Sequence, residues 1–352
     1  VWGWVSLRKE NDMLKMAVIG CGYWGPNLIR NFHNHPEVQL KAIADIDPVR
    51  LQHVGKLYPH MFCTTDYSEI LADPELDAVV VATPVSTHFT LGSQVLKAGK
   101  HLFIEKPMAA CAEECRHLID LSRQGSLIIM VGHTFVFTPA VQKIRELMEG
   151  GELGDIYYVN ITRVNLGLFH QDVNVVWDLA PHDVAMLNDL FQAKPQVVSA
   201  TGRSYVQKDI EDVAFLTLEY PDRQLAHIHV SWLDPNKIRK ATFVGSRKML
   251  VYDDVSSLEK IRVYDKGVDV LPHYDNFGEF QLSYRFGDIF IPRIEQVEPL
   301  KIEANHFVDC VLRRKEPLSN GVHGLEVVEV LEKACQSIKE DGKPYVLEYA
   351  GS

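Results

Sequence analysis

Cysteine is scarce in this chain: six in 352 residues, at positions 21, 63, 111, 115, 310 and 335, are too few and too scattered for a disulfide scaffold. Cys111 and Cys115 stand four apart on a predicted helix, but no second pair completes a ligand set, so no metal is expected and the thiols read as buried. No apolar run is long enough for a helix to span a bilayer, so no membrane partner is expected. The first twelve residues, Val1 to Asp12, lack the apolar core and small-residue cleavage site of a secretory signal; a short extension and a cytoplasmic location are expected. Basic charge is in deficit, with 36 Lys and Arg against 47 Asp and Glu and a formal charge of -11. That disfavours a nucleic acid partner and leaves room for a small anionic substrate in a locally positive cleft. Internal repeats and low-complexity tracts are absent as well.

What is present is a strand, turn and helix signal near the start. Ala17-Val18-Ile19 reads as an apolar strand, and Gly20-Cys21-Gly22-Tyr23-Trp24-Gly25 as a Gly-x-Gly-x-x-Gly turn before a helix. This arrangement brings backbone N–H groups and a helix terminus against a pyrophosphate, so a dinucleotide held by Gly20, Gly22, Tyr23, Trp24 and Gly25 is expected. Asp45 follows Gly20 by 25 residues at the end of the next predicted strand, where a carboxylate accepts from a ribose diol and repels a 2′-phosphate. NAD is therefore expected over NADP. Asp47 competes for the ribose, although Asp47-Pro48 suits a helix start. Thr83, Pro84, Thr87 and His88 follow a further strand at the same edge and are expected over the nicotinamide ribose. Turn and cap hydroxyls are the alternative for the threonines, and a cap or loop contact for His88.

The length favours two domains, and 46% apolar with 24% charged residues is an ordinary globular balance. After the extension 1–14, residues 15–131 alternate in the βαβ manner, with strands predicted at 15–20, 39–45, 77–82, 101–105 and 126–131 and helices at 24–35, 48–58, 87–98 and 109–123. Ser86 is a candidate cap for the third helix and Gly99 its stop. This is expected to be a Rossmann domain, an α/β unit with a parallel sheet. From 132 to 352 the alternation lengthens, at 155–166, 196–206, 211–220, 224–232, 239–245 and 248–252, with helices near 179–192, 300–314 and 322–340. An α+β domain with an open, mainly antiparallel sheet is expected. Helices can cover one face of it, and a partner subunit is the simplest cover for the other if that face is apolar.

Two further segments carry chemistry. Phe103-Ile104-Glu105-Lys106-Pro107 puts an ammonium at the carboxyl end of a strand, before a proline that suits a rigid turn. Lys106 there can donate to a substrate hydroxyl and stabilise the oxygen charge that develops as hydride leaves, while Glu105 can pair with it or touch the cofactor. In Val175-Val176-Trp177-Asp178-Leu179-Ala180-Pro181-His182, Asp178 and His182 are four apart and share a helix face. The carboxylate can fix the tautomer of His182, and a neutral imidazole accepts a proton from an alcohol near neutral pH. A capping aspartate beside a satisfied helix histidine is the alternative.

The glycine turn, Ala82-Thr83-Pro84, Glu105-Lys106-Pro107 and Asp178-x-x-x-His182 together resemble the glucose-fructose oxidoreductase and inositol dehydrogenase family, from about Lys15 to Gly342. The resemblance implies Lys106, Asp178 and His182 as the catalytic group, with Lys106 touching substrate and nicotinamide, His182 the general acid/base and Asp178 orienting substrate or histidine. It also implies a homodimer or homotetramer through the second domain's sheet. Tyr23-Trp24-Gly25-Pro26-Asn27, Arg163-x-Asn165-Leu166-Gly167, Asp172-Val173-Asn174-Val175 and Ser231-Trp232-Leu233-Asp234-Pro235 resemble the branch that oxidises C3 of UDP-linked N-acetyl sugars or their uronates. On that likeness Arg163, Asn165 and Asn174 join the substrate residues, Arg163 as a cation for a diphosphate or carboxylate. Solvated or turn roles are the alternative for Arg163 and Asn165. An inositol or free-sugar dehydrogenase, or a non-catalytic sensor of NAD or sugar, are the competing readings.

Overall fold

The computed structural model describes residues 13–167, 169–270 and 282–348, and the expected extension 1–14 lies almost wholly outside them. The chain divides into two compact units, residues 1–137 with 297–328, and residues 138–296 with 329–352.

Unit 1 begins with β1 (Leu14–Ile19), α1 (Gly25–His33), β2 (Val38–Ala44), α2 (Pro48–Leu57), β3 (Phe62–Thr64) and α3 (Tyr67–Ala72). It continues with β4 (Ala78–Val81), α4 (Val85–Lys97), β5 (His101–Glu105), α5 (Ala112–Gly125) and β6 (Ile129–Gly132). The six strands are all parallel in the order β3-β2-β1-β4-β5-β6. The apolar run Ala78-Val79-Val80-Val81 is buried along its length, as a parallel strand covered on both faces must be. Asp47 caps α2 by accepting from Val49 N–H at 2.8 Å, which absorbs it in the helix start. α4 starts at Val85, before Ser86, so Ser86 is not its cap.

The remaining elements are α6 (Pro139–Glu149), β7 (Ile156–Val164), α7 (Val175–Phe191), β8 (Val197–Arg203), β9 (Val213–Glu219) and β10 (Leu225–Ser231). After them come β11 (Ile238–Gly245), β12 (Met249–Asp253), β13 (Ile261–Val270), β14 (Leu282–Phe290), α8 (Pro299–Arg313), α9 (Gly321–Lys339) and β15 (Tyr345–Val346). In unit 2 nine strands form one sheet in the order β14-β13-β12-β11-β7-β10-β9-β8-β15. β7 and β10 pair in parallel and every other pair is antiparallel. Alternation buries Val198 and Ala200, Ala214, Leu216 and Leu218, and Ala226, Ile228 and Val230, while α7 packs on β7, β9 and β10. The opposite register leaves Tyr158, Phe215 and Leu225 exposed.

α8 departs from the expected boundary. Sequence reading assigns 300–314 to the second domain, but Phe307 packs edge-on to Phe32 of α1 and Phe103 of β5, with ring centroids 6.1 and 5.6 Å apart. Arg30 and Asn31 of α1 also donate to Glu298, just before α8. Among the described residues no helix is long and apolar enough to cross a membrane.

Candidate functional site

In unit 1 the turn between β1 and α1 uses its three glycines differently. Gly20 has φ +106°, and a β-carbon on it would meet the Ala82 carbonyl; a β-carbon on Gly25 would strike the Gly20 carbonyl. At Gly22 the nearest atom would be 3.8 Å away, in the flexible Arg50 side chain. Two glycines let the chain pack, and the middle one leaves its face open to a ligand.

Beside that face lies a cleft of about 290 Å³, lined by Gly20, Gly22, Asp45, Thr83, Pro84 and Thr87 among others. These six sequence-derived cofactor residues are brought together at the carboxyl ends of β1, β2 and β4, where open α/β sheets bind ligands. Asp45 bridges the turn and the next loop, its carboxylate accepting from Cys21 N–H at 2.5 Å and Asp47 N–H at 2.8 Å. Burial and the Asp45 charge push the Cys21 thiol up to about 12, which leaves it inert. Thr87 donates its hydroxyl to Thr83 Oγ1 at 2.7 Å or to the Pro84 carbonyl at 2.8 Å.

The other expected cofactor residues stand outside this lining. Tyr23 is 82% exposed beside Trp24, with the rings edge to face at 5.5 Å. His88 is buried with its two ring nitrogens 2.8 Å from the carbonyls of Pro107 and Thr83, so it braces α4 against the turn after β5. The loop contact, one of its two expected roles, is the one the geometry supplies. Glu105 is buried at the end of β5 and Lys106 follows it, joined to Pro107 by a cis peptide bond. Sequence reading missed Arg50, Ile46 and Tyr67, which also line the cleft. The signal available for Arg50 was its place three residues after Asp47, to which its Nε is paired at 3.3 Å.

In unit 2 the expected helix near 179–192 starts earlier, at Val175, because Asn174 caps it by accepting from Trp177 N–H at 3.1 Å. Pro181, which suits a first turn, instead lies inside the helix and cannot donate to the Trp177 carbonyl. Asp178 and His182 are one turn apart on α7. Asp178 Oδ2 accepts from Trp232 Nε1 at 3.0 Å and lies 3.9 Å from His170 Nε2. His170 and Trp232 are therefore neighbours of the acid that sequence reading did not assign to the site; both come from loops whose approach to α7 no local pattern reveals.

Arg163 has a different place from the one expected. It is buried on β7, and its Nε and Nη2 donate to the two carboxylate oxygens of Asp183 at 2.9 and 2.7 Å. A guanidinium held this way braces α7 on the sheet, and offering it to a substrate anion would strip a buried Asp183 of its partner. Asn174, besides capping α7, donates to Glu211 Oε2 at 2.7 Å, which accounts for its side chain structurally. Asn165 directly follows β7, its N–H bonded to the Ser231 carbonyl at 3.1 Å. Among the described residues no group of three or more His, Cys, Asp and Glu is arranged to hold a metal ion.

Comparison with known proteins places this geometry. Residues 14–133 match an oxidoreductase family with an NAD-binding Rossmann fold, and residues 141–251 match the GFO/IDH/MocA C-terminal domain. The scyllo-inositol 2-dehydrogenase (NAD(+)) of Bacillus subtilis is 25% identical over 95% of this chain and 96% of its own. UDP-N-acetylglucosamine 3-dehydrogenase of Acidithiobacillus ferrooxidans is 23% identical over 90% of this chain and 94% of its own. The solved structure of GenD2 from gentamicin A biosynthesis, in complex with NAD, shares the fold with a TM-score of 0.80 at 22% identity, covering 96% of this chain and 97% of that one.

Proposed function

Because the chain belongs to the GFO/IDH/MocA family of NAD-binding oxidoreductases, we propose that it oxidises a sugar hydroxyl to a ketone, with C3 of a UDP-N-acetylhexosamine or its uronate as the substrate. The observation that carries the redox reading is the cleft of unit 1: an open glycine face and a buried carboxylate stand where a dinucleotide needs them. Gly20, Gly22, Asp45, Thr83 and Thr87 would hold NAD, which when bound supplies the hydride acceptor. Lys106 donates to the substrate oxygen and steadies its charge as the carbon is oxidised. His182 takes the hydroxyl proton, and Asp178, fixed by the Trp232 indole, orients substrate or imidazole.

The nucleotide-sugar assignment rests on the likeness to the Acidithiobacillus enzyme. A second reading, an inositol or free-sugar dehydrogenase, gains from the Arg163–Asp183 pair, which removes the cation expected to meet a diphosphate, and from the likeness to the Bacillus enzyme. The absorbance of reduced nicotinamide, followed with NAD and a panel of UDP-N-acetyl sugars, their uronates, inositols and free hexoses, separates them. Turnover confined to UDP-sugars and lost in His182→Ala supports the first reading. Turnover with inositol or free sugars alone replaces it with the second, and silence across the panel with cofactor that is not already reduced contradicts both.

A further inference from the structure

Unit 1 encloses a group of polar side chains that its cofactor cleft does not use. Glu105 ends β5, His133 and Thr134 follow β6, Glu303 lies on α8, and His323 lies on the first turn of α9. Glu303 is fully buried; its Oε2 accepts the Thr134 hydroxyl at 2.8 Å, and its Oε1 has no partner. Glu105 is buried too, but its Oε2 accepts the Lys106 backbone N–H at 3.2 Å, and the Lys106 charge acts on it. Its carboxyl lies so close to Gly132 that a β-carbon there would stand 3.1 Å from Oε2. The buried His133 has no partner at either ring nitrogen and meets the His323 ring edge-on at 5.4 Å.

A carboxylate presents about four lone-pair sites. Glu303 is offered one hydroxyl, which can as readily accept as donate, whereas Glu105 has a backbone donor and a neighbouring cation. Two carboxylates withdrawn from water do not both ionise when only one is so supported. We propose that Glu303 is a positioning residue that carries a proton at neutral pH and so reserves the negative charge beside Lys106 for Glu105.

The electrostatics run the same way. Burial and the Glu105 charge push the Glu303 carboxyl well above the usual range, while Lys106 opposes the burial that raises Glu105 to about 7. Burial, with His323 and Lys106 nearby, holds His133 neutral, so it supplies no counter-charge. The effect on Lys106 rests on the dehydrogenase reading; the proton on Glu303 does not.

Infrared spectroscopy of the whole protein without substrate tests this, because a protonated carboxyl shows a carbonyl stretch above the amide band that shifts in heavy water. At about pH 8 the wild type shows such a band, Glu105→Gln keeps it and Glu303→Gln loses it; at about pH 6 a second band grows in that Glu105→Gln lacks. No carbonyl band in the wild type at the higher pH, or one that survives Glu303→Gln unchanged, overturns the proposal. The wild-type spectrum alone can do so should Glu303→Gln fail to fold, and neither result bears on which substrate is turned over.

Discussion

Gly22 and Gly25 occupy one motif for different physical reasons, and substitution separates them. A methyl on Gly25 runs into the Gly20 carbonyl, so Gly25→Ala is expected to cost at least about 1–3 kcal/mol of stability. A methyl on Gly22 makes only an ordinary contact with the flexible Arg50 side chain, so Gly22→Ala is expected to keep its stability within about 0.5 kcal/mol and weaken NAD. Melting curves with and without NAD check both. Asp45 joins the glycine turn through Cys21 N–H and lines the cleft. Asp45→Ser is expected to lower the preference for NAD over NADP by about tenfold or more, which is about 1.4 kcal/mol of lost discrimination, read from the two dissociation constants. An unchanged ratio contradicts the ribose assignment. The glycines and Asp45 were legible because a βα turn fixes their spacing. Arg163 and Asn174 were not, because a side chain's type announces what it can bind and not which partner the fold supplies; Asp183 lies on α7 and Glu211 in the loop before β9.

Regular elements were legible where hydrophobic periodicity is strong, as in β1, β4 and α9. Three were not. β3 has only three residues, and β13 and β14 interleave Arg, Asp and Lys with their apolar positions. The assignment of α8 to unit 1 was equally hidden, since its ring partners Phe32 and Phe103 lie hundreds of residues back in the chain. That packing makes α8 part of the cofactor unit's core. Phe307→Ala is expected to cost about 3–5 kcal/mol, seen as a lower urea midpoint. A shift close to zero contradicts the placement.

For the molecule as a whole, acidity has a definite sign. Glu105 rises from an ordinary 4.5 to about 7 in the folded state, by burial against the opposing Lys106 charge. Between those values the unfolded chain has released the proton and the folded chain has kept it. Glu105 therefore contributes stability that falls as pH rises from about 4.5 to about 7, with a slope approaching 1.4 kcal/mol per unit, and is flat above. Glu105→Gln is expected to flatten that slope in chemical denaturation across the range; an unaltered slope contradicts the assignment. The exposed face of the nine-stranded sheet, with Tyr158, Phe215 and Leu225, is expected to bury itself against a second copy. Light scattering should then give a dimer or tetramer, and a monomer at assay concentration contradicts it.

The central claim is that hydride leaves a sugar carbon for NAD while His182 takes the hydroxyl proton. Substrate deuterated at the reacting carbon, chosen from whichever sugar the panel turns over, tests it most directly. Mass spectrometry of the reduced cofactor should find the deuterium on nicotinamide, and His182→Ala should still bind NAD yet form none. Reduced cofactor without deuterium, or undiminished transfer in His182→Ala, would contradict the account.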